Sequence, residues 1–218
     1  MPIPVITLQS DQDIVANPRR QAIYDTEGDN DATAIALKLT CFSNLNQFSV
    51  ASLSYGPAKV YGRDTNLENT GGGSIPKGSM MLGYDLTIPL SVRTSDLSAT
   101  AGQGIFQELW QIRKARWATF RFGETPYFRE SLEDIPAGWG VKDVTTTCAA
   151  ALVTDIGSGR LSRFNRRSLL VNDYPIMITQ NEQFAIDLER GSDFSVTPTY
   201  EVYYTPHIHG IYLRGITG

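Results

Sequence analysis

The chain has 218 residues, 41% of them hydrophobic, and a formal net charge of −4. That length and apolar content are enough for one domain with its own core, since a β-sandwich of ~200–250 residues commonly forms a single unit. The acidic balance argues against wholesale wrapping of nucleic acid, which needs a basic protein, but leaves room for a local basic face. No apolar run reaches the ~18 residues needed to span a bilayer.

Ten Tyr and nine Phe, with frequent Val, Ile and Thr, favour strands, while nineteen Gly and eleven Pro supply turns. Residues 1–9, with Pro2 and Pro4, suit a short edge strand. The N-terminus has no charged region followed by a long apolar stretch, so no signal peptide is expected and the chain is expected to be made in the cytoplasm. Residues 10–31 are rich in Asp, Asn and Gln and read as an extended arm or long loop. This sets the organisation as an N-terminal edge strand and arm over 1–31 and one domain over 32–218. Residues 32–42 form the first firm strand, with Ile35, Leu37 and Leu39 on one face. Residues 48–53 and 58–61 supply the next two. Residues 64–78 are a loop with Gly71, Gly72 and Gly73 at its tip. A glycine triplet cradles phosphate where it opens a helix or precedes Gly-Lys-Ser/Thr, and neither follows here.

Residues 80–92 read as a long strand in which Leu82, Tyr84, Leu86, Ile88 and Leu90 share a face and Pro89 marks an edge or bend. Residues 104–114 carry a helical apolar stripe of Ile105, Phe106, Leu109, Trp110 and Ile112, expected to pack on a sheet. Period two returns at 116–123, followed by a turn and a strand from Tyr127. Residues 141–156 fit helix or strand equally well by periodicity. Residues 174–179 and 184–189 are strands around a turn, with Phe184, Ile186 and Leu188 on one face and Asp187 and Glu189 on the other. Residues 199–214 run extended almost without a break and are expected inside a sheet, holding the fold closed. The fold expected is all-β: an antiparallel two-sheet sandwich of about ten strands, with one inserted helix near 104–114.

No catalytic motif stands out. His207 and His209 point to one side of a strand and would jointly hold a metal if Glu201 and Asp187 came near, but a structural pair is the weightier reading. Glu130, Glu133 and Asp134 cluster near a turn, where a solvated loop outweighs a glycosidase pair. Cys41 and Cys148 sit in apolar surroundings and read as buried thiols, their pairing left open. The basic residues form two groups: Arg113, Lys114, Arg116 and Arg121, and Arg160, Arg163, Arg166 and Arg167. They suit an anionic partner such as lipid head groups or nucleic-acid phosphate. A solvated loop, or a subunit interface where the arginine fork meets carboxylates, is the slightly weightier reading.

The order of a long strand, a helix, Trp117-Ala-Thr-Phe-Arg-Phe-Gly-Glu-Thr-Pro-Tyr-Phe, then Asp134-Ile-Pro-Ala-Gly, resembles the jelly-roll coat proteins of tailless icosahedral bacteriophages. So does an ending of Pro175-Ile-Met-Ile-Thr-Gln-Asn-Glu-Gln-Phe-Ala-Ile-Asp-Leu and Gly210-Ile-Tyr-Leu-Arg-Gly-Ile. The likeness covers roughly half the chain and lies in layout rather than an invariant motif. It implies a single jelly roll, since the chain is shorter than the double jelly roll of the major coat proteins. It also implies a structural, non-enzymatic virion protein without cofactor or small-molecule substrate. Its partners would be copies of itself and other capsid subunits, with internal membrane lipid or packaged nucleic acid against one face. Self-association beyond ~800 Å² per partner follows. Two other classes fit a β-sandwich: a carbohydrate- or receptor-binding module using Trp139, Tyr61 or Tyr127, and a cupin-type metal enzyme using His207 and His209.

Overall fold

The structure, a computed structural model, describes residues 17–54, 56–67, 75, 79–92, 99–135, 148–149, 152–153, 176–179 and 182–214. In chain order the elements are β1 (Asn17–Tyr24), β2 (Glu27–Asp29), β3 (Lys38–Cys41), β4 (Ser79–Thr87), β5 (Leu90–Val92) and α1 (Ala99–Ala115). They continue with β6 (Arg116–Phe122), β7 (Thr125–Ser131), β8 (Cys148–Ala149), β9 (Leu152–Val153), β10 (Ile176–Thr179), β11 (Phe184–Arg190), β12 (Val202–Tyr204) and β13 (His207–Arg214). All strand pairs are antiparallel.

Two four-stranded sheets carry the fold. One has the order β1-β13-β4-β10 and the other β3-β11-β6-β7. Their inner faces share one hydrophobic cluster: Ile23, Met81, Ile178 and Ile208 from the first meet Leu39, Phe120, Ile186 and Leu188 from the second. This is a β-sandwich with its core between the layers. A third sheet, β2-β12-β5, repeats the order β1-β13-β4, because each of those segments bends and pairs again. The bends fall at Asp25–Thr26, at Ile88–Pro89 and at Thr205–Pro206, and proline, lacking an N–H, suits two of these breaks.

The arm expected over residues 10–31 is not what residues 17–30 form. β1 pairs along its whole length with β13, Asn17 opposite Arg214 through Tyr24 opposite His207, and residues 25–30 are buried. The polar composition had masked a strand whose buried groups are charged. Residues 48–53 and 58–61 are turns joined by isolated bridges rather than strands, although Phe48 and Leu53 are buried against Tyr203. In the first expected strand Ile35 and Leu39 are buried but Leu37 is 57% exposed, because regular pairing begins only at Lys38. The C-terminal run lies inside a sheet, as its apolar character required, but Pro206 divides it in two.

The helix spans Ala99–Ala115, five residues earlier than the stripe suggested. Its Ile112 is buried, whereas Trp110 is exposed with Lys114 over its ring. Glu108 accepts hydrogen bonds from the backbone N–H and hydroxyl of Thr199, pinning α1 to the loop before β12. Among the described residues no helix is long and apolar enough to cross a membrane.

β4 does not keep one apolar face. His209 opposes Asp85 and Gly210 opposes Gly83, so Tyr84 is an extra residue, a β-bulge in the middle of the first sheet. Inward parity therefore switches: Met81 and Gly83 are buried before the bulge, Leu86 and Ile88 after it. At this kink a Cβ on Gly210 would overlap the backbone carbonyl of Leu82. Backbone cannot swing aside as a side chain does, so Gly210→Ala is expected to cost at least about 2 kcal/mol, read as a lower urea midpoint with unchanged slope.

Candidate functional site

Strand alternation explains how the most polar stretch of the chain becomes its interior. In Asp25-Thr-Glu-Gly-Asp the carboxylates recur at every second residue and so share a face. Three carboxylates at that spacing can be buried only if cations reach them. Lys59 and Arg116 do so. The Lys59 Nζ lies 2.8 Å from Asp25 Oδ2 and 2.7 Å from Glu27 Oε1, with all three side chains sealed from solvent. Its third hydrogen bond goes to the Asn44 carbonyl at 2.7 Å, and the Phe48 ring lies 5.6 Å away. Glu27 Oε2 accepts the Ser49 N–H.

Arg116 opens β6 with the parity of Ala118 and Phe120, which turns its side chain into the core. Its Nη2 donates to Asp29 Oδ2, its Nε to the Tyr204 hydroxyl at 3.0 Å and its Nη1 to the Leu188 carbonyl at 3.0 Å. The Tyr204 hydroxyl donates to the same Asp29 oxygen at 2.8 Å, and the guanidinium lies over the Tyr204 ring. Asp29 Oδ1 accepts the Ala36 N–H. One arginine thus joins β2, β6, β11 and β12, tying the second large sheet to the small one.

Asp25 Oδ2 also accepts the N–H of Phe42 at 2.7 Å. Phe42 has φ +67°, the left-handed region, which costs a non-glycine residue about 1–3 kcal/mol unless its surroundings hold it. The bond to Asp25 and the packing of its ring against Phe184 at 5.0 Å hold it. The remaining oxygen, Asp25 Oδ1, is buried and has no hydrogen-bond partner.

The charge balance is uneven: three carboxylates face two cations. Burial lifts the Asp25 and Glu27 carboxyls above their ordinary range, only partly opposed by Lys59. Burial acts to lower Lys59, but Asp25 and Glu27 outweigh it and hold the ammonium up. Arg116 likewise is lowered by burial and raised more by Tyr204 and Asp29. Burial thus moves both carboxyls toward the neutral form, Lys59 holding them back. Cys41, a free buried thiol, is pushed well up by burial and the same carboxylates, which makes it inert as a nucleophile.

The basic group expected near the helix is dispersed, not a face. Arg113 is buried and donates to the Ile88 and Ile135 carbonyls, and burial brings its guanidinium down to about 10. Arg116 is interior. Neither can meet an anionic partner or a neighbouring subunit, because helix and strand parity point them inward. Arg121 pairs with Asp187 at 2.9 Å on the outer face of the second sheet, and Lys114 stays exposed. Arg160, Arg163, Arg166 and Arg167 lie outside the described residues, as do Trp139, the glycine triplet and the side chain of Cys148.

His207 and His209 do share a face, with rings stacked at 5.9 Å, but it is the face turned away from the core residues Ile208 and Tyr212. His209 Nε2 bonds the Thr87 hydroxyl, and the His207 ring packs on Tyr24 at 5.2 Å. The other expected ligands are engaged elsewhere. Asp187 is held by Lys38, Thr40 and Arg121, whose hydrogen bonds outweigh its burial and keep its carboxyl low. Glu201 accepts Ser54 N–H and the Tyr203 hydroxyl. Among the described residues no three His, Cys, Asp or Glu side chains come together as a metal would need. Glu133 and Asp134 are exposed in the turn after β7. Tyr61 is 62% exposed, but nearby Asp64 is buried and bound to Val60 N–H and Arg63. No family model, curated protein or solved structure matches this chain.

Two measurements probe this site. Arg116→Met leaves Asp29 charged and buried without its cation, and is expected to cost about 3–5 kcal/mol in urea unfolding; adding Asp29→Asn is expected to restore part of that loss. Burial, with His209 beside it, lowers His207 from 6.5 to about 4. Between those values the unfolded chain binds a proton that the folded one refuses, so this stability is full above pH 6.5 and lost as pH falls towards 4. His207→Gln should make the stability loss over that window shallower by about 1–2 kcal/mol after solvent screening.

Proposed function

We propose that this chain is a structural coat subunit, a single jelly roll that assembles with copies of itself and with sister subunits into an icosahedral phage shell. The observation that carries the reading is strand order. Counting only the eight strands of the two large sheets in chain order, one sheet reads first, eighth, third, sixth and the other second, seventh, fourth, fifth. Each sheet then alternates early and late strands, the pattern produced when a long antiparallel hairpin is rolled into two interlocking Greek keys. The resemblance of the sequence to jelly-roll coat proteins points the same way.

Jelly rolls also serve lectins and cupins, so the surface must weigh in. A cupin reading needs His207 and His209 inside the barrel, and they face outward. A sugar site beside Tyr61 needs a free carboxylate, and Asp64 is engaged. Large apolar side chains are exposed on several sides: Met177 (51%) on the first sheet, Trp117 (44%) on the second, Trp110 on α1 and Val60 in a loop. Scattered anchors suit a subunit surrounded by neighbours better than a module with one ligand patch. The network under β2 serves a rigid body for such contacts, and anionic lipid or packaged nucleic acid would lie on one face of the assembly.

Electron microscopy and sedimentation of the purified full chain test the proposal. Rings, capsomer-like oligomers or closed shells are expected at high protein concentration. A strictly monomeric protein under those conditions, alone and with its sister subunits, overturns it.

A further inference from the structure

The buried Lys59 cluster holds the parts of a chemical reaction as well as those of a salt bridge. A primary amine touches two carboxyls, water is excluded from all three side chains, and one carboxyl oxygen of Asp25 is left without a partner. The other oxygen receives a backbone N–H from Phe42, a residue held in left-handed backbone. From this geometry we infer that Lys59 and Asp25 condense into an intramolecular amide cross-link, with Glu27 as the proton carrier.

The reaction balances within the cluster. The reaction runs from the form in which Asp25 is a neutral acid protonated on Oδ1, the form that burial favours. Lys59 passes an ammonium proton to Glu27 Oε1 along their 2.7 Å hydrogen bond and becomes a neutral amine. Its Nζ attacks Asp25 Cγ and the C–N bond forms. The charge that develops on Oδ2 is met by the Phe42 N–H, a donor fixed before the reaction. After the attack the nitrogen carries two protons; it passes one to the Oδ1 hydroxyl on the same carbon, the C–O bond breaks and water leaves, while Glu27 keeps the proton it took. In sum, one ammonium and one carboxylic acid, with the carboxylate of Glu27 as base, give an amide, a water and a protonated Glu27. No oxidant or cofactor is needed. Holding amine and acid in contact replaces a bimolecular encounter with an intramolecular step, and a dry interior disfavours the reverse hydrolysis.

The three hydrogen bonds of the Lys59 ammonium are also what a purely structural lysine would make. The two cases differ in covalent mass. The folded full chain, denatured only for measurement, is expected to weigh one water less than the folded Lys59→Arg or Glu27→Gln chain after allowing for the substitution. Trypsin cuts after Arg20, Lys38, Lys59 and Arg63 in an unlinked chain. In the linked chain cleavage after Lys59 is expected to be lost, and peptide 21–38 is expected joined to 39–63. The full sequence mass with normal cleavage at Lys59 overturns the inference. A missing water with Lys59 still cleaved overturns it too, since that is a cyclic imide at an aspartate. A folded Glu27→Gln chain that carries the complete cross-link removes Glu27 from its role.

Discussion

The structure depends on the placement of Arg116 beneath the strand that carries Asp25, Glu27 and Asp29. A guanidinium in the interior is unfavourable unless it is paired and hydrogen-bonded, and here its three nitrogens each reach an acceptor: Asp29, the Tyr204 hydroxyl and the Leu188 carbonyl. The elements it joins are far apart in sequence: β2 near the start, β6 in the middle, β11 and β12 near the end. A close-packed apolar core resists sliding of one layer over another. A shared guanidinium adds to that resistance, because a shift of one residue strands a charge. The network therefore sets how the small sheet meets the sandwich, while the apolar cluster supplies the bulk of the burial.

The same segment closes the fold. β1 runs directly into β2 through Asp25, so its pairing with β13 and the ion network are two consequences of one stretch of chain. β13 lies between β1 and β4, which places the last described strand inside the first sheet, beside the first. Pairing ends that are so distant in sequence is slow in folding, and it leaves a body that cannot fray from one end alone. The bulge at Tyr84 then turns β4 so that Leu86 and Ile88 reach the core that Met81 reached before it.

These features suit the proposed role. A subunit that must touch several neighbours needs fixed relative positions of loops set at both ends of a sandwich. Crossed ties between sheets supply that rigidity without occupying the outer faces. On the outer face of the second sheet the charged ladder of Lys38, Asp187, Arg121, Glu189 and Arg129 lies beside exposed Trp117.

The sequence by itself determined which residues of 184–190 share a face. Alternation set Phe184, Ile186 and Leu188 together and all three are buried, but Ala185 and Asp187 on the other face are buried as well, Asp187 beneath Lys38 and Arg121. It also announced the helix, the breaks near Pro89 and the interior position of the C-terminal run. The carboxylates at 25, 27 and 29 showed the same period in plain view, yet read as a solvated arm, since their cations lie 34 residues on at Lys59 and 87 on at Arg116. Whether an acidic strand faces water or core depends on partners that only the folded chain brings near. The bulge, the outward histidines and the inward turn of Arg113 and Arg116 were likewise decided by tertiary structure. Local pattern fixes which residues share a face; which way that face points is settled by the layer that packs against it.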